Sequence, residues 1–404
     1  MAQIKIPFSP PDISEIEISN VIEVLKSGWI TTGVKTKEYE TKIAEYCGTE
    51  CAVCLNSATA CLELILRVFG VGAGDEVITS SYTYTASASV IDHVGAKIVL
   101  VDTAPDSYEM DYDMLENVIT EKTKAIIPVD VAGVMCDYDK IFDIINRKKH
   151  LFSPETPYQK ALGRILVMAD AAHSFGASYK DIPSGNVADF TAFSFHAVKN
   201  LTTAEGGALT WRALPGIGSQ EIYDTFKRMS LHGQSEDAYA KSMPGAWEYD
   251  IVSLAYKCNM TDIAASIGLG QLERYPKMQK RRKELVDLYM KHLPLDKITV
   301  IRHENANQSS SRHLLMTRLN GKNMEQRNAF IQKMAEMGVA CNVHYKPLPM
   351  HTAYQNLGFD IKDFPNAKKM FENEVTFPLY STMRDEDVIY ICDCVKKVIE
   401  ILKR

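Results

Sequence analysis

Three short segments carry side chains that could do chemistry together. In FSFHAVKNLTTAEGGALTW (193–211), Lys199 lies between two short β-rich runs and is followed by a glycine pair. In VMADAAHSFGA (167–177), Asp170 closes an apolar run and His173 lies three residues on. In LNSATACLELIL (55–66), a strand runs into Ser57, Ala58, Thr59 and Ala60, then into a helix. A lysine amine can form a Schiff base with an aldehyde and later shuttle protons. A carboxylate can hold a pyridine nitrogen protonated, which lets the ring accept electrons. A helix start offers backbone N–H groups to a phosphate. These are the needs of pyridoxal 5′-phosphate (PLP). Taken singly, each piece has a plainer reading: a surface lysine, a helix-capping aspartate, an ordinary strand–helix turn, a structural histidine. Their joint occurrence in this order favours the cofactor.

To hold these groups, the chain must bring strand ends side by side. Short β-rich runs recur at 76–81, 97–102, 124–131, 164–171, 190–195 and 207–211, with helical or loop stretches between several of them. Continuous apolar runs of this kind mark strands buried on both faces. They predict an α/β fold, a mostly parallel central sheet sandwiched by helices, with ligands at the carboxyl ends of the strands. Apolar spacing predicts helices over 13–27 and 59–69. Residues 212–245 read as a polar loop or flap. A long helix is expected through 261–293, broken near Pro276. Beyond it come a strand at 313–319, a helix at 324–337, a strand at 340–345 and an amphipathic helix from 385. The expected division is a large cofactor-binding domain (1–255), linking helices at a dimer interface (256–294) and a smaller C-terminal α+β domain (295–404).

Composition narrows the class. The 404 residues are 46% hydrophobic and 24% charged, which suits a soluble chain with a full-sized core. A net charge of −6 gives no reason to expect a nucleic-acid partner. No run of 18 apolar residues suggests a membrane span, and the first residues, MAQIKIPFSPPDISEIE, show no apolar signal region. Nine scattered cysteines fit free thiols in a reducing compartment, so a cytoplasmic protein is expected. Cys47, Cys51 and Cys54 cluster, but no fourth ligand follows at metal-site spacing; buried thiols are expected rather than a metal.

The wording of the motifs resembles the sugar aminotransferases of the DegT/DnrJ/EryC1/StrS family, within the fold-type I PLP enzymes. The resemblance covers most of the chain, from SGWITTGVKTKEYE (27–40) to TFPLY (376–380). SGWITTG, SFHAVKN with AEGG, and YKCNMTDI are its most specific parts. They look most like the branch acting on UDP-linked 4-keto sugars, of the 4-amino-4-deoxy-L-arabinose type. The resemblance implies that Lys199 is the Schiff-base lysine, that Asp170 pairs with the pyridine nitrogen and that His173 lies near the ring. It implies phosphate contacts at Thr59, Ala60 and Ser194, and an aromatic ring on the pyridine face at Tyr84, with Tyr82 as the alternative. It further implies a homodimer with a shared active site, in which Lys257 or Asn259 reaches the partner's phosphate. Trp29, Thr31, His344 and Tyr345 fall where relatives approach the nucleotide-sugar. The loop Lys346–Pro347–Leu348–Pro349 departs from the arabinose branch. Arg228 and His232 read more simply as a solvated face than as phosphate ligands.

The activity implied is transfer of an amino group from L-glutamate to a nucleotide-linked, UDP-type 4-keto sugar, in two half-reactions with ping-pong kinetics, serving surface polysaccharide or lipid glycan synthesis. Two alternatives stand beside it. Relatives that dehydrate sugars replace the lysine with histidine, and the retained Lys199 argues against that chemistry. A non-enzymatic regulator on the same fold would be expected to lack catalytic groups, and none is missing.

Overall fold

The computed structural model describes residues 5–235 and 248–402. Among the described residues, nine strands lie before residue 212: β1 Ala52–Leu55, β2 Glu76–Ser80, β3 Lys97–Val101, β4 Thr123–Ile127, β5 Leu166–Asp170, the short β6 Ser178–Tyr179 and β7 Ile182–Pro183, β8 Phe190–Ser194 and β9 Gly207–Trp211. Seven of them form one sheet in the order β1-β9-β8-β5-β4-β2-β3. Every pairing from β8 to β3 is parallel; β9 alone runs against its neighbours.

Side chains alternate across a strand, and here both faces are apolar. Leu166 and Met168 of β5 join one core, while Val167 and Ala169 join the other. Helix α3 (Ala58–Phe69) packs Leu62, Ile65 and Phe69 into the first core; α2 (Val34–Cys47) packs Tyr39 and Ile43 into the second, together with Ile141 and Ile145 of the helix Tyr138–Lys148. Buried Cys47 and Cys54 belong to the second core, and no group of three or more His, Cys, Asp or Glu side chains gathers for a metal among the described residues. Helix α1 (Glu15–Ser27) begins with a capping box between Ser14 and Glu17.

A second sheet is antiparallel: β10 Ile298–Val300, β12 Leu315–Leu319 and β13 Glu374–Phe377, in the order β10-β12-β13. It shares a third core with the helices Met324–Glu336 and Asp385–Ile401. The two-residue β11 (Gln308–Ser309) pairs with β6 and carries the following residues to the rim of the large sheet. No helix among the described residues is long and apolar enough to cross a membrane.

Three expectations are corrected. The 212–245 stretch is not all loop: Ser219–Ser230 is a helix that buries Ile222 and Phe226, and its otherwise polar face hid it. Residues 236–245 of that stretch lie outside the described residues. The helix Asp262–His292 is unbroken at Pro276. A proline there forfeits one backbone hydrogen bond, but buried Tyr275 and Met278 anchor the helix on both sides of it, the Tyr275 hydroxyl donating to the Phe175 carbonyl at 2.6 Å. Residues 340–345 make one isolated bridge, Asn342 to Thr376, instead of a strand. There the Glu374 carboxylate takes the backbone N–H of His344, at 2.8 Å, in place of a ladder partner.

Candidate active site

The carboxyl ends of β2, β4, β5 and β8 open into one cavity of about 460 Å³. β5 ends at Asp170 and β8 at Ser194; β1 leads through Asn56 into α3. Ser57 caps α3, its hydroxyl accepting from the Ala60 N–H at 3.1 Å. That leaves the first-turn amides of Ala58 and Thr59 without an intrahelical partner, at the wall of the cavity. The Ala60 amide is taken by the Ser57 hydroxyl, and Ala60 does not line the cavity as Ala58 and Thr59 do. The helix start presses on β9. A Cβ on Gly207 would lie 2.5 Å from the Ala58 nitrogen and 2.7 Å from the Phe193 carbonyl, so only glycine fits.

Asp170 is buried on the cavity wall. Its Oδ2 accepts from the Ser87 hydroxyl at 2.6 Å and its Oδ1 from the Ala172 N–H at 3.2 Å. Burial pushes its carboxyl above the usual range, while Ser87, Ala172 and the Lys199 ammonium pull it back. Lys199 lines the same cavity, and burial lowers its amine to about 8, opposed by Asp170. An amine lowered this far is more often free to act as a base or nucleophile near neutral pH.

The hydrogen bonds fix the state of His173. Its Nδ1 accepts from the Ala132 N–H at 3.2 Å, so the neutral ring carries its hydrogen on Nε2, which meets the Tyr345 hydroxyl at 2.9 Å. Burial, reinforced by Lys199, holds the ring well below the ordinary histidine range. His313 packs against it with ring centroids 4.4 Å apart. Asn200 donates to the Ser311 carbonyl at 2.8 Å, so its oxygen faces Nδ1 of His313 at 2.9 Å.

The structure gathers Thr59, Tyr84, Asp170, His173, Ser194, Lys199, His344 and Tyr345 around one space. Tyr84 is 61% exposed and open to it, whereas Tyr82 is fully buried and donates to the His344 carbonyl at 3.0 Å. Trp29, Thr31, Lys257 and Asn259 do not line the cavity of their own chain. They gather beside it: Asn259 bridges Leu55 and donates to the Thr32 hydroxyl at 2.5 Å, and Lys257 donates to Asn259. The Thr31 carbonyl accepts from the Asp262 N–H at 3.0 Å, and the Trp29 indole donates to the Thr32 carbonyl at 3.1 Å. Arg228 and His232 are exposed and lie outside the cavity. Sequence reasoning alone does not find Phe8, Ser87, Asp130 or His313. Asp130 and His313 do carry a signal, as polar residues beside apolar strands; burial pushes Asp130 up to about 7.

Residues 11–396 match the pattern of the DegT/DnrJ/EryC1/StrS aminotransferase family. The chain belongs to this family. Its fold is shared with the Streptococcus pneumoniae protein Spr1654, assigned as a sugar aminotransferase. In the PMP form of that protein the identity is 56% and the TM-score 0.96, covering 98% of this chain and 100% of that one; a PLP form is also known. The chain is 34% identical to the spore coat polysaccharide biosynthesis protein SpsC of Bacillus subtilis, covering 98% of this chain and 97% of the relative. It is also 34% identical to the UDP-4-amino-4-deoxy-L-arabinose–oxoglutarate aminotransferase of Shewanella sediminis, covering 98% of each. Within this family, the cavity's donor set fits PLP: an amine, a buried carboxyl and open helix-start amides border one space.

Proposed function

We propose that this aminotransferase uses PLP on Lys199 to move an amino group from L-glutamate to a nucleotide-linked, UDP-type 4-keto sugar for surface glycan synthesis. The observation that carries the reading is the placement of Lys199 and Asp170 on one cavity that also meets the start of α3. PLP, when bound, supplies an electron sink that stabilises a carbanion at the substrate carbon. Asp170 would hold the pyridine nitrogen, the amides of Ala58 and Thr59 with Ser194 would hold the phosphate, and Tyr84 would cover the ring face. Lys199, with its amine lowered to about 8, would take the proton from the substrate carbon and hold it for return. His173, neutral and donating from Nε2, orients Tyr345 at the cavity wall.

The names of the relatives support the sugar and the donor: one is an aminotransferase of a UDP-linked 4-amino sugar and oxoglutarate, another belongs to spore coat polysaccharide synthesis. The second cluster supports a homodimer with shared sites. Lys257 and Asn259 stand outside their own cavity, and the chain just before them exposes the apolar side chains of Ile251, Val252, Leu254 and Tyr256. Incubation with glutamate and a panel of UDP- and dTDP-linked keto sugars, with products identified by mass and NMR, tests the assignment. The expected product is a 4-amino sugar formed with equimolar 2-oxoglutarate. Loss of water from the sugar without glutamate consumption contradicts it.

A further inference from the structure

Glu374 lies outside every segment to which the sequence assigns chemistry, and it is fully buried at the start of β13. Both its carboxyl oxygens are engaged. Oε2 accepts from the His344 backbone N–H at 2.8 Å, and Oε1 meets the Thr376 hydroxyl at 2.6 Å. The same hydroxyl meets Nδ1 of His344 at 2.9 Å. The His344 ring lines the cavity and stacks on Phe8, and its Nε2 has no hydrogen-bond partner among the described residues. A continuous chain therefore runs from a buried carboxyl to the cavity.

A hydroxyl has one proton, so this chain has two arrangements. With Glu374 ionised, Thr376 donates to Oε1 and its oxygen accepts from Nδ1–H; Nε2 then carries a lone pair. With Glu374 protonated, the proton sits on Oε1, the oxygen with an acceptor in reach. Thr376 then donates to Nδ1, and Nε2 carries the hydrogen. We propose that Glu374 is a positioning residue that, through Thr376, selects which tautomer His344 shows the cavity. One state offers an acceptor to a substrate hydroxyl. The other offers a donor to a carbonyl or phosphate oxygen. That consequence for the substrate rests on the proposed function; the relay does not.

Within the relay Glu374 is the group that titrates; Lys199, which faces the His344 ring, is also lowered to about 8, and Glu374→Gln, which leaves Lys199 in place, separates the two. Arg327, from the helix Met324–Glu336, donates to the Glu374 carbonyl at 3.0 Å and favours the ionised form. Tyr82, Tyr108, Tyr345 and Cys341 are its other titratable neighbours, and burial pushes all four up, so they stay neutral. Burial, with Lys199 facing the ring, lowers His344 to about 3, so the ring does not take a second proton. Burial raises Glu374 to about 8, which puts the inversion within reach of ordinary buffers.

Histidine-labelled ¹⁵N NMR of the purified full-length protein tests the relay, with His344 assigned from the signal lost in His344→Gln. The wild type is expected to carry the His344 hydrogen on Nε2 at about pH 6 and on Nδ1 at about pH 10. In Glu374→Gln, the amide oxygen must accept from His344 N–H and the amide nitrogen must donate to Thr376, so Nε2–H persists at every pH. Thr376→Val uncouples the tautomer from pH, and Thr376→Ser restores the coupling. A wild-type ring that keeps one tautomer throughout, or a Glu374→Gln ring that still switches, overturns the proposal. So does a Thr376→Val ring that switches as the wild type does.

Discussion

Ser87 donates a 2.6 Å hydrogen bond to Oδ2 of Asp170 and so restrains a carboxyl that burial pushes upward. Ser87 lies in α4 (Ala86–His93), after β2, while Asp170 ends β5. Hydrogen bonds to charged groups contribute about 1.5–3 kcal/mol. If Asp170 holds the protonated ring nitrogen as proposed, Ser87→Ala should weaken that grip. The expected result is a loss in kcat/KM on the order of tenfold or more, measured by steady-state kinetics alongside cofactor titration. Unchanged kinetics with unchanged cofactor affinity would show that Ser87 does not tune Asp170.

Lys199 gives the cofactor-free protein a pH signature. Its amine falls from 10.5 to about 8 on folding, so between these values the unfolded chain binds more protons than the folded one. Stability then rises with pH through that window, and below about 8 the burial penalty is fully present. Lys199→Met lacks this term. Wild type should gain on the order of 1–3 kcal/mol relative to the variant from pH 8 toward 10.5. Urea denaturation of both cofactor-free proteins across that range is the check.

The contact between Gly207 and the start of α3 allows no side chain. In Gly207→Ala the new methyl meets backbone atoms of Ser57 and Ala58, which cannot yield as a flexible side chain would. Overpacking of this kind costs about 1–3 kcal/mol. It should also displace the amides of Ala58 and Thr59, so phosphate affinity and thermal stability should fall together. A variant that melts early yet binds PLP as wild type does would separate the two roles.

If the site is shared between two subunits as proposed, two inactive variants complement each other. Lys199→Ala and the double variant Lys257→Ala with Asn259→Ala should each be inactive or nearly so. If they are unfolded and refolded together, half the dimers are hybrids with one intact site, returning about a quarter of wild-type activity. A mixture that stays inactive would place Lys257 and Asn259 outside the partner's site.

The sequence makes some of these parts plain and hides others for physical reasons. Asp170 and Lys199 are legible because continuous apolar strands end beside them, and the α3 start is legible because a strand runs straight into it. Ser87 and Glu374 are not. Each reaches the site across the fold, Glu374 from 30 residues beyond His344, and nothing in local spacing records such a contact. The helix Ser219–Ser230 buries too few apolar side chains to declare itself. His344 was legible as a residue near the site, but its hydrogen-bonding character is set by Thr376 and Glu374, which only the folded chain brings together.

Borohydride reduction of the holoenzyme, followed by peptide mapping, tests the role of Lys199 most directly. The expected result is a pyridoxyl adduct on the peptide carrying Lys199, absent from Lys199→Ala together with the visible absorption of the wild type. An adduct on another lysine, or none at all, would contradict it.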